Sequence, residues 1–159
     1  MPPKPLALQP TLPSELLTYI LSHNAQPVTL IICQPRAKFL SSLKRSTTSR
    51  QTAPPPENEP QDAASEQAPP HPLLIPTLQQ IATSRSMKLV FIPTVSHLRA
   101  YLAVFTSPEG KEKRQYKEGQ EKGKKAPLLV AYGLVELHKD TSEWSAQGLG
   151  NSVAGLVEA

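Results

Sequence analysis

Seven basic residues lie between positions 111 and 125 and are the strongest candidates in this sequence for binding an anionic partner. Four glutamates lie among or beside them, so residues 109–125 carry seven basic against four acidic groups, a net charge of +3. Clustered Lys and Arg side chains bind nucleic acid by neutralising phosphates and releasing counterions. The interspersed glutamates and the single aromatic residue, Tyr116, are typical of a solvated loop instead. We predict a basic loop over residues 107–126, with these candidates for nucleic-acid binding: Lys111, Lys113, Arg114, Lys117, Lys122, Lys124 and Lys125.

The positions of the glycines argue against a phosphate-binding turn. All seven lie at or after Gly110, so the turns at residues 33–36 and 92–95, each between an apolar run and a helical pattern, contain none. A P-loop or a dinucleotide-binding turn needs glycines there, because backbone N–H groups must wrap the phosphate. Lys124 and Lys125 follow Gly123 but precede a strand, which is the wrong order for a P-loop. We therefore predict no ATP or NAD binding and no cofactor.

Cys33 is the one residue placed where an α/β enzyme would put a nucleophile, at the end of a strand and before a helix. No general base is identifiable beside it and its strand is apolar, so we predict a buried structural thiol, with a cysteine-based enzyme as the alternative. The four histidines lie in separate segments without metal-ligand spacing, and we expect them at the surface or at helix ends. Ser145 is not in a nucleophile elbow. The sequence thus predicts no catalytic residue, no metal site and no enzyme.

Three further residues are candidates for binding a protein partner. Trp144, the only tryptophan, falls in a polar connector, where it either packs against the domain or anchors a partner. Arg99 and Tyr101 lie on a predicted helix and would form the polar edge of a binding face, unless that side of the helix is simply solvated.

Three apolar runs, at residues 28–33, 87–92 and 128–131, read as strands, and each is followed by a helical pattern. This order predicts an α/β fold, a small three-layer parallel sheet with flanking helices. The continuous run at 128–131 is typical of a strand covered on both faces. Helix caps are expected at Thr94 and at Thr141 or Ser142. Inward-facing helix positions are expected at Leu78, Ile81, Leu149, Val153, Leu156 and Val157.

Composition divides the chain. Residues 46–70 are dominated by Ser, Thr, Gln, Ala, Glu and Pro and contain no aliphatic residue larger than alanine, so they cannot bury enough surface to fold. We predict a flexible tail at 1–12, a single α/β domain formed by 13–45 and 71–159, and a disordered insertion at 46–70. A single cysteine and the lack of a long apolar run predict a soluble intracellular protein with no membrane partner.

Residues 127–159 resemble one part of a known family. A strand, a short connector and then Ser-Ala-Gln opening a helix are similar to the region of RecA-like recombinases and their paralogues that contains the second nucleotide motif. In that family the strand ends in an Asp that holds the magnesium shell, whereas here the matching position is Tyr132, followed by Gly133. A phenol cannot supply a carboxylate oxygen to magnesium. The resemblance therefore implies a degenerate, non-hydrolysing member with an abbreviated RecA-like fold.

The resemblance also implies a biological role. Shu-complex-type paralogues without nucleotide motifs assemble with other RecA-like proteins, so we expect a non-catalytic accessory subunit of a nuclear hetero-oligomer in DNA repair by homologous recombination, with possible DNA contact through the basic loop. A second reading is an Elongator-type RecA-like subunit in tRNA modification, which would be cytoplasmic. A third is a plain protein-interaction scaffold.

Overall fold

Three short parallel strands form the sheet, and the central one is the most deeply buried element. The computed structural model describes residues 5–23, 27–48, 70–105 and 127–159. The strands are β1 (Val28–Ile32), β2 (Met87–Phe91) and β3 (Leu128–Tyr132), and their order in the sheet is β2-β1-β3. Ile31 of β1 stands opposite Val90 of β2 and Ala131 of β3. All five residues of β1 are buried.

Helices cover both faces of this sheet. Within the described residues they are α1 (Pro13–His23), α2 (Arg36–Thr48), α3 (Leu78–Arg85), α4 (Val95–Ala103), α5 (Leu134–His138) and α6 (Ala146–Glu158), with a 3-10 helix at Pro72–Leu74. Successive side chains of a strand point to opposite faces. One cluster accordingly joins alternate residues of β1 to α1 and α2: Leu16, Leu17, Ile20, Val28, Leu30, Ile32 and Phe39. The other joins the remaining face to α4 and α5: Ile31, Cys33, Ile92, Val95, Leu98 and Leu137.

This arrangement confirms the predicted α/β fold with a small parallel sheet between two helical layers. Burying one large aliphatic side chain stabilises a fold by about 1.5–3 kcal/mol, so the two clusters are the main favourable contribution to folding. The predicted domain segments hold every described helix and strand except the end of α2, which reaches Thr48 instead of stopping at residue 45. Residues 49–69, most of the predicted insertion, and residues 1–4 of the tail lie outside the described residues.

The third strand differs from its prediction. We expected β3 to be covered on both faces, but all five of its residues are only half-buried. The reason is its position at an edge of the sheet: β1 occupies the centre and pairs with both neighbours. A continuous apolar run therefore marks a central strand for β1 and an edge strand for β3, and the two cannot be distinguished by hydrophobicity.

The inward face of α3 was also predicted wrongly. Leu78 is 86% exposed and Ile81 is exposed as well, whereas Gln80 and Thr83 are buried. The helix begins after Thr77, whose hydroxyl accepts the Gln80 N–H (3.2 Å) while the Gln80 side chain accepts the Thr77 N–H (3.0 Å). This capping box fixes Gln80 at the helix start, and α3 packs against α1 through its polar face.

The last helix starts later than predicted. Neither Thr141 nor Ser142 caps it, because α5 and a turn intervene after β3, and Ser145 is the cap, its hydroxyl accepting the Gly148 N–H at 3.0 Å. The buried face of α6 consists of small residues, Gly148 and Ser152, while Val153 and Val157 are exposed and Leu149 and Leu156 are half-buried. The predicted apolar stripe is therefore only partly on the face that packs: Leu156 contacts the core cluster, while Val153 and Val157 do not face inward.

Candidate functional site

The carboxyl ends of the three strands are where parallel α/β folds usually place their chemistry. Here both ladders continue one residue past the strands: the Cys33 N–H donates to the Tyr132 carbonyl (2.9 Å) and the Ile92 N–H to the Ile32 carbonyl (2.8 Å). Gly133, with φ at 77°, turns the chain from β3 directly into α5. A positive φ of this size favours glycine, so this residue serves the turn.

Cys33 lies in the middle of this region, and the structure confirms that it is buried. Its side chain is 1% exposed, and burial raises the pKa of the Cys33 thiol to about 12. The thiolate is the nucleophilic form of cysteine, so a thiol with this pKa is protonated and unreactive near neutral pH. The geometry therefore gives no support to the cysteine-based enzyme considered above.

Tyr132, which stands where the family resemblance would place an acidic residue, packs into the layer of α1 and α2. Its ring meets Phe39 edge-on, with ring centroids 5.9 Å apart at 77°. Its hydroxyl donates a long hydrogen bond to the Thr11 carbonyl (3.4 Å), and burial raises the pKa of the phenol. Tyr132 thus links the segment at Thr11 to the end of β3, and its role is structural.

All four histidines lie at the surface or at a helix end, as predicted, although two of these helix ends are buried. His71 and His138 are buried. The Nδ1 of His71 accepts the Leu73 N–H (3.2 Å), and the Nδ1 of His97 pairs with the capping hydroxyl of Thr94 at 2.9 Å. No group of three or more His, Cys, Asp or Glu side chains in the described parts of the chain is placed to hold a metal ion.

His138 forms a buried pair with Ser152 that sequence reasoning missed. The ring is fully buried; its Nδ1 lies 2.8 Å from the Leu134 carbonyl and its Nε2 lies 2.9 Å from the Ser152 hydroxyl. Only a protonated nitrogen can bond a carbonyl, so Nδ1 carries the proton, and in the neutral ring Nε2 accepts from Ser152. The arrangement resembles a catalytic Ser–His pair but is sealed from solvent, and it ties α5 to α6. The small-residue spacing of Gly148, Ser152 and Gly155 was the sequence signal that could have located this face.

Of the three predicted partner-binding residues, Arg99 lies beside the turn that carries Trp144, whereas Tyr101 packs inward. The guanidinium of Arg99 on α4 makes a two-pronged contact with Glu143, with N–O distances of 3.3 and 2.8 Å. Hydrogen bonding from Arg99, and then its charge, lowers the pKa of the Glu143 carboxyl. Tyr101 packs against the cluster under α4, and its buried hydroxyl has no partner among the described residues. Tyr101 therefore contributes to packing, whereas Arg99 makes an ion pair at the surface.

Trp144 is different, because its side chain is 56% exposed. It follows Glu143 directly, and its backbone N–H donates to the Thr141 carbonyl (3.1 Å), so the turn on which it stands is held at both ends. The exposure argues against the reading in which Trp144 packs against the domain, and the partner-anchor reading stays a prediction. An exposed tryptophan on a fixed turn is the kind of residue that anchors protein interfaces.

The predicted nucleic-acid contacts at Lys111, Lys113, Arg114, Lys117, Lys122, Lys124 and Lys125 all lie outside the described residues, and they stay predictions. None of the helices in the described segments has the length and hydrophobicity needed to cross a membrane. Comparison of the chain with protein-family models, with curated proteins and with solved structures finds no match.

Proposed function

We propose that this protein is a non-catalytic RecA-like accessory subunit that assembles with RecA-like partner proteins in DNA repair by homologous recombination. The observation that carries the proposal is the exposed Trp144 on a turn fixed by the Arg99–Glu143 pair. Because the turn that carries Trp144 is already ordered, its backbone loses little conformational freedom when the ring is covered, which favours an anchor at this position. The recombination process itself is an expectation from the resemblance of residues 127–159.

Two features of the carboxyl ends of the strands agree with a role without chemistry of its own. Burial raises the pKa of the Cys33 thiol to about 12, and the half-buried Tyr132 packs edge-on against Phe39. These two side chains are therefore used for packing.

The test uses the tagged full-length chain in cells that naturally make it, with Trp144→Ala as the variant and Tyr19→Ala as the matched control. Tyr19 is also 56% exposed but lies on α1, in the opposite layer. We expect RecA-like recombination proteins to be recovered with the parent and with Tyr19→Ala, and to be lost with Trp144→Ala. Truncating an anchor costs about 2 kcal/mol or more, roughly 30-fold in Kd.

Recovery of Elongator subunits instead would assign the protein to tRNA modification. Recovery of neither group, or equal loss with both variants, would show that Trp144 is not the anchor of such an assembly.

A further inference from the structure

The two outer edges of the sheet are chemically different. The edge strand β2 carries Lys88, whose ammonium lies 5.8 Å from the centre of the Tyr101 ring. A lysine on an edge strand discourages pairing with another strand. The edge strand β3 contains no charged residue and no proline over its five residues, and all of them are half-buried. Among the described residues no further strand pairs with its outer side. Of the two edges, β3 is therefore the one able to accept a strand.

The hydrogen bonds to β1 define which groups of β3 are free for pairing. The Leu128 N–H donates to the Pro27 carbonyl, and the Tyr132 carbonyl accepts the Cys33 N–H, both at 2.9 Å. Because these groups alternate along a strand, Leu128, Val130 and Tyr132 bond to β1, while Leu129 and Ala131 direct their N–H and C=O groups to the open edge.

From this geometry we infer that β3 pairs antiparallel with β3 of a second copy of the chain, about a two-fold axis at Val130. Leu129 and Ala131 of each copy would exchange hydrogen bonds with Ala131 and Leu129 of its partner. Val130 would face its own copy as a non-hydrogen-bonded pair. The register is self-complementary, since Leu128 meets Tyr132 on one face and Leu129 meets Ala131 on the other, with no charge opposite an apolar side chain.

The residues that bracket the strand select this register. Pro127 and Gly133 lie three positions before and after Val130. An axis at Leu129 would place Ala131 opposite Pro127, which has no N–H to donate. An axis at Ala131 would place Leu129 opposite Gly133, which already turns away with φ at 77°. Only the axis at Val130 keeps all paired residues within the strand.

A second copy fits the edge better than the rest of this chain does. Residues 49–69 offer only alanines as aliphatic residues, and residues 106–126 are dominated by charge, so neither sequence matches an uncharged apolar edge. Residues 5–12 are exposed and pair with no strand. The inference does not rest on the proposed function.

Disulfide trapping in the full chain tests the register. The Cα atoms of a non-hydrogen-bonded antiparallel pair are about 4.5 Å apart, within the range of about 4.4–6.8 Å that a disulfide accepts. Val130→Cys should therefore form a reducible covalent dimer under mild oxidation. The matched control is Leu128→Cys, whose two copies would be about 13 Å apart at about 3.3 Å per residue, too far to be bridged. The native Cys33 is buried and should not react.

A pair of proline variants tests the edge itself by sedimentation at micromolar concentration. The parent should be a dimer. Ala131→Pro removes an outward N–H of β3 without touching its bonds to β1, and should give a folded monomer. Leu89→Pro is the matched control on the other edge. The Val28 N–H donates to the Ser86 carbonyl and the Ile92 N–H to the Ile32 carbonyl, so the even-numbered residues of β2 bond to β1 and the Leu89 N–H points to the outer side of β2.

Circular dichroism and thermal melting show whether each variant folds. If a proline variant does not fold, the disulfide-trapping result still tests the inference. A monomeric parent would overturn the inference. A parent whose β3 edge pairs with a different, identified protein would overturn it as well. So would Val130→Cys that crosslinks no faster than Leu128→Cys, or dissociation by Leu89→Pro but not by Ala131→Pro.

Discussion

The reactivity of Cys33 separates a structural thiol from a nucleophile, and its expected size follows from the structure. Burial raises the pKa of this thiol to about 12, compared with about 8.5 for a cysteine in an unfolded chain. At pH 8 the thiolate fraction is then about one in ten thousand in the folded protein and about one quarter in the unfolded one. Native Cys33 should therefore react with an aromatic disulfide reagent about a thousandfold more slowly than in guanidinium, and burial of the sulfur slows it further.

The assay follows thiol labelling by absorbance in the parent and in Ser41→Cys. Ser41 is exposed on α2, and its hydroxyl bonds only to the Lys38 carbonyl of the same helix (2.9 Å). The variant thus places a reference thiol on the surface of the same molecule. We expect one fast and one very slow phase in the native variant, and two fast phases after unfolding. Native labelling of Cys33 within tenfold of the reference would refute the buried, protonated thiol and restore the nucleophile hypothesis.

The same pKa shift makes a stability prediction whose sign can be worked out. Between pH 8.5 and 12 the unfolded chain loses the thiol proton while the folded chain keeps it, so the unfolded state binds fewer protons and stability falls as the pH rises. From pH 7.5 to 9.5 the parent should lose about 1 kcal/mol more of its unfolding free energy than Cys33→Ala does. Equal losses in urea titrations of both proteins would contradict the shift.

Three other predictions concern the remaining features. Ser152→Ala leaves Nε2 of the buried His138 without its partner and should lower the unfolding free energy by about 1–3 kcal/mol in urea titrations, whereas Ser41→Ala should change it by less than about 0.5 kcal/mol. Replacing Lys122, Lys124 and Lys125 with alanine should weaken nucleic-acid binding and lower the slope of log K against log salt by up to about 2.7 on duplex DNA; unchanged binding to DNA and RNA would leave the segment as a solvated loop. Deleting residues 49–69 should leave the melting temperature nearly unchanged, because they contain no large aliphatic side chain, and a large drop would show that they support the fold.

The sequence predicted the elements well where a local signal decides the outcome. The runs that became β1 and β2 are apolar and bounded by prolines or polar residues, and Thr94 was recognised as a cap because it directly precedes an apolar helical pattern. The β2-β1-β3 order was not predictable in the same way, since it depends on where each crossover places the next strand. That order alone decides that β1 is buried throughout and β3 only in part.

The predictions for individual site residues depended in the same way on contacts between distant parts of the chain. The contact between Glu143 and Arg99, which lies 44 positions earlier in the chain, has no local sequence signal. The buried His138 has its second nitrogen satisfied by Ser152, and no local sequence pattern indicates that these two residues meet. Trp144 was left with two readings, because the exposure of an aromatic residue in a connector depends on what the neighbouring elements leave uncovered.

The packing of α6 connects these observations. A helix normally turns its largest apolar side chains toward the core, and here Gly148 and Ser152 face inward while Val153 and Val157 remain exposed. The inward face has no room to spare, because a side chain at Gly148 would collide with the Glu143 carbonyl, and one at Gly155 would meet Leu102 of α4 at 3.4 Å. Val153 and Val157 are therefore available to another surface, whereas Leu156 packs against the cluster that contains Ile31. Single exposed valines need no explanation. The edge strand β3 is a stronger signal, because it carries no charge and no other described strand pairs with its outer side, which is the pattern of an assembly surface.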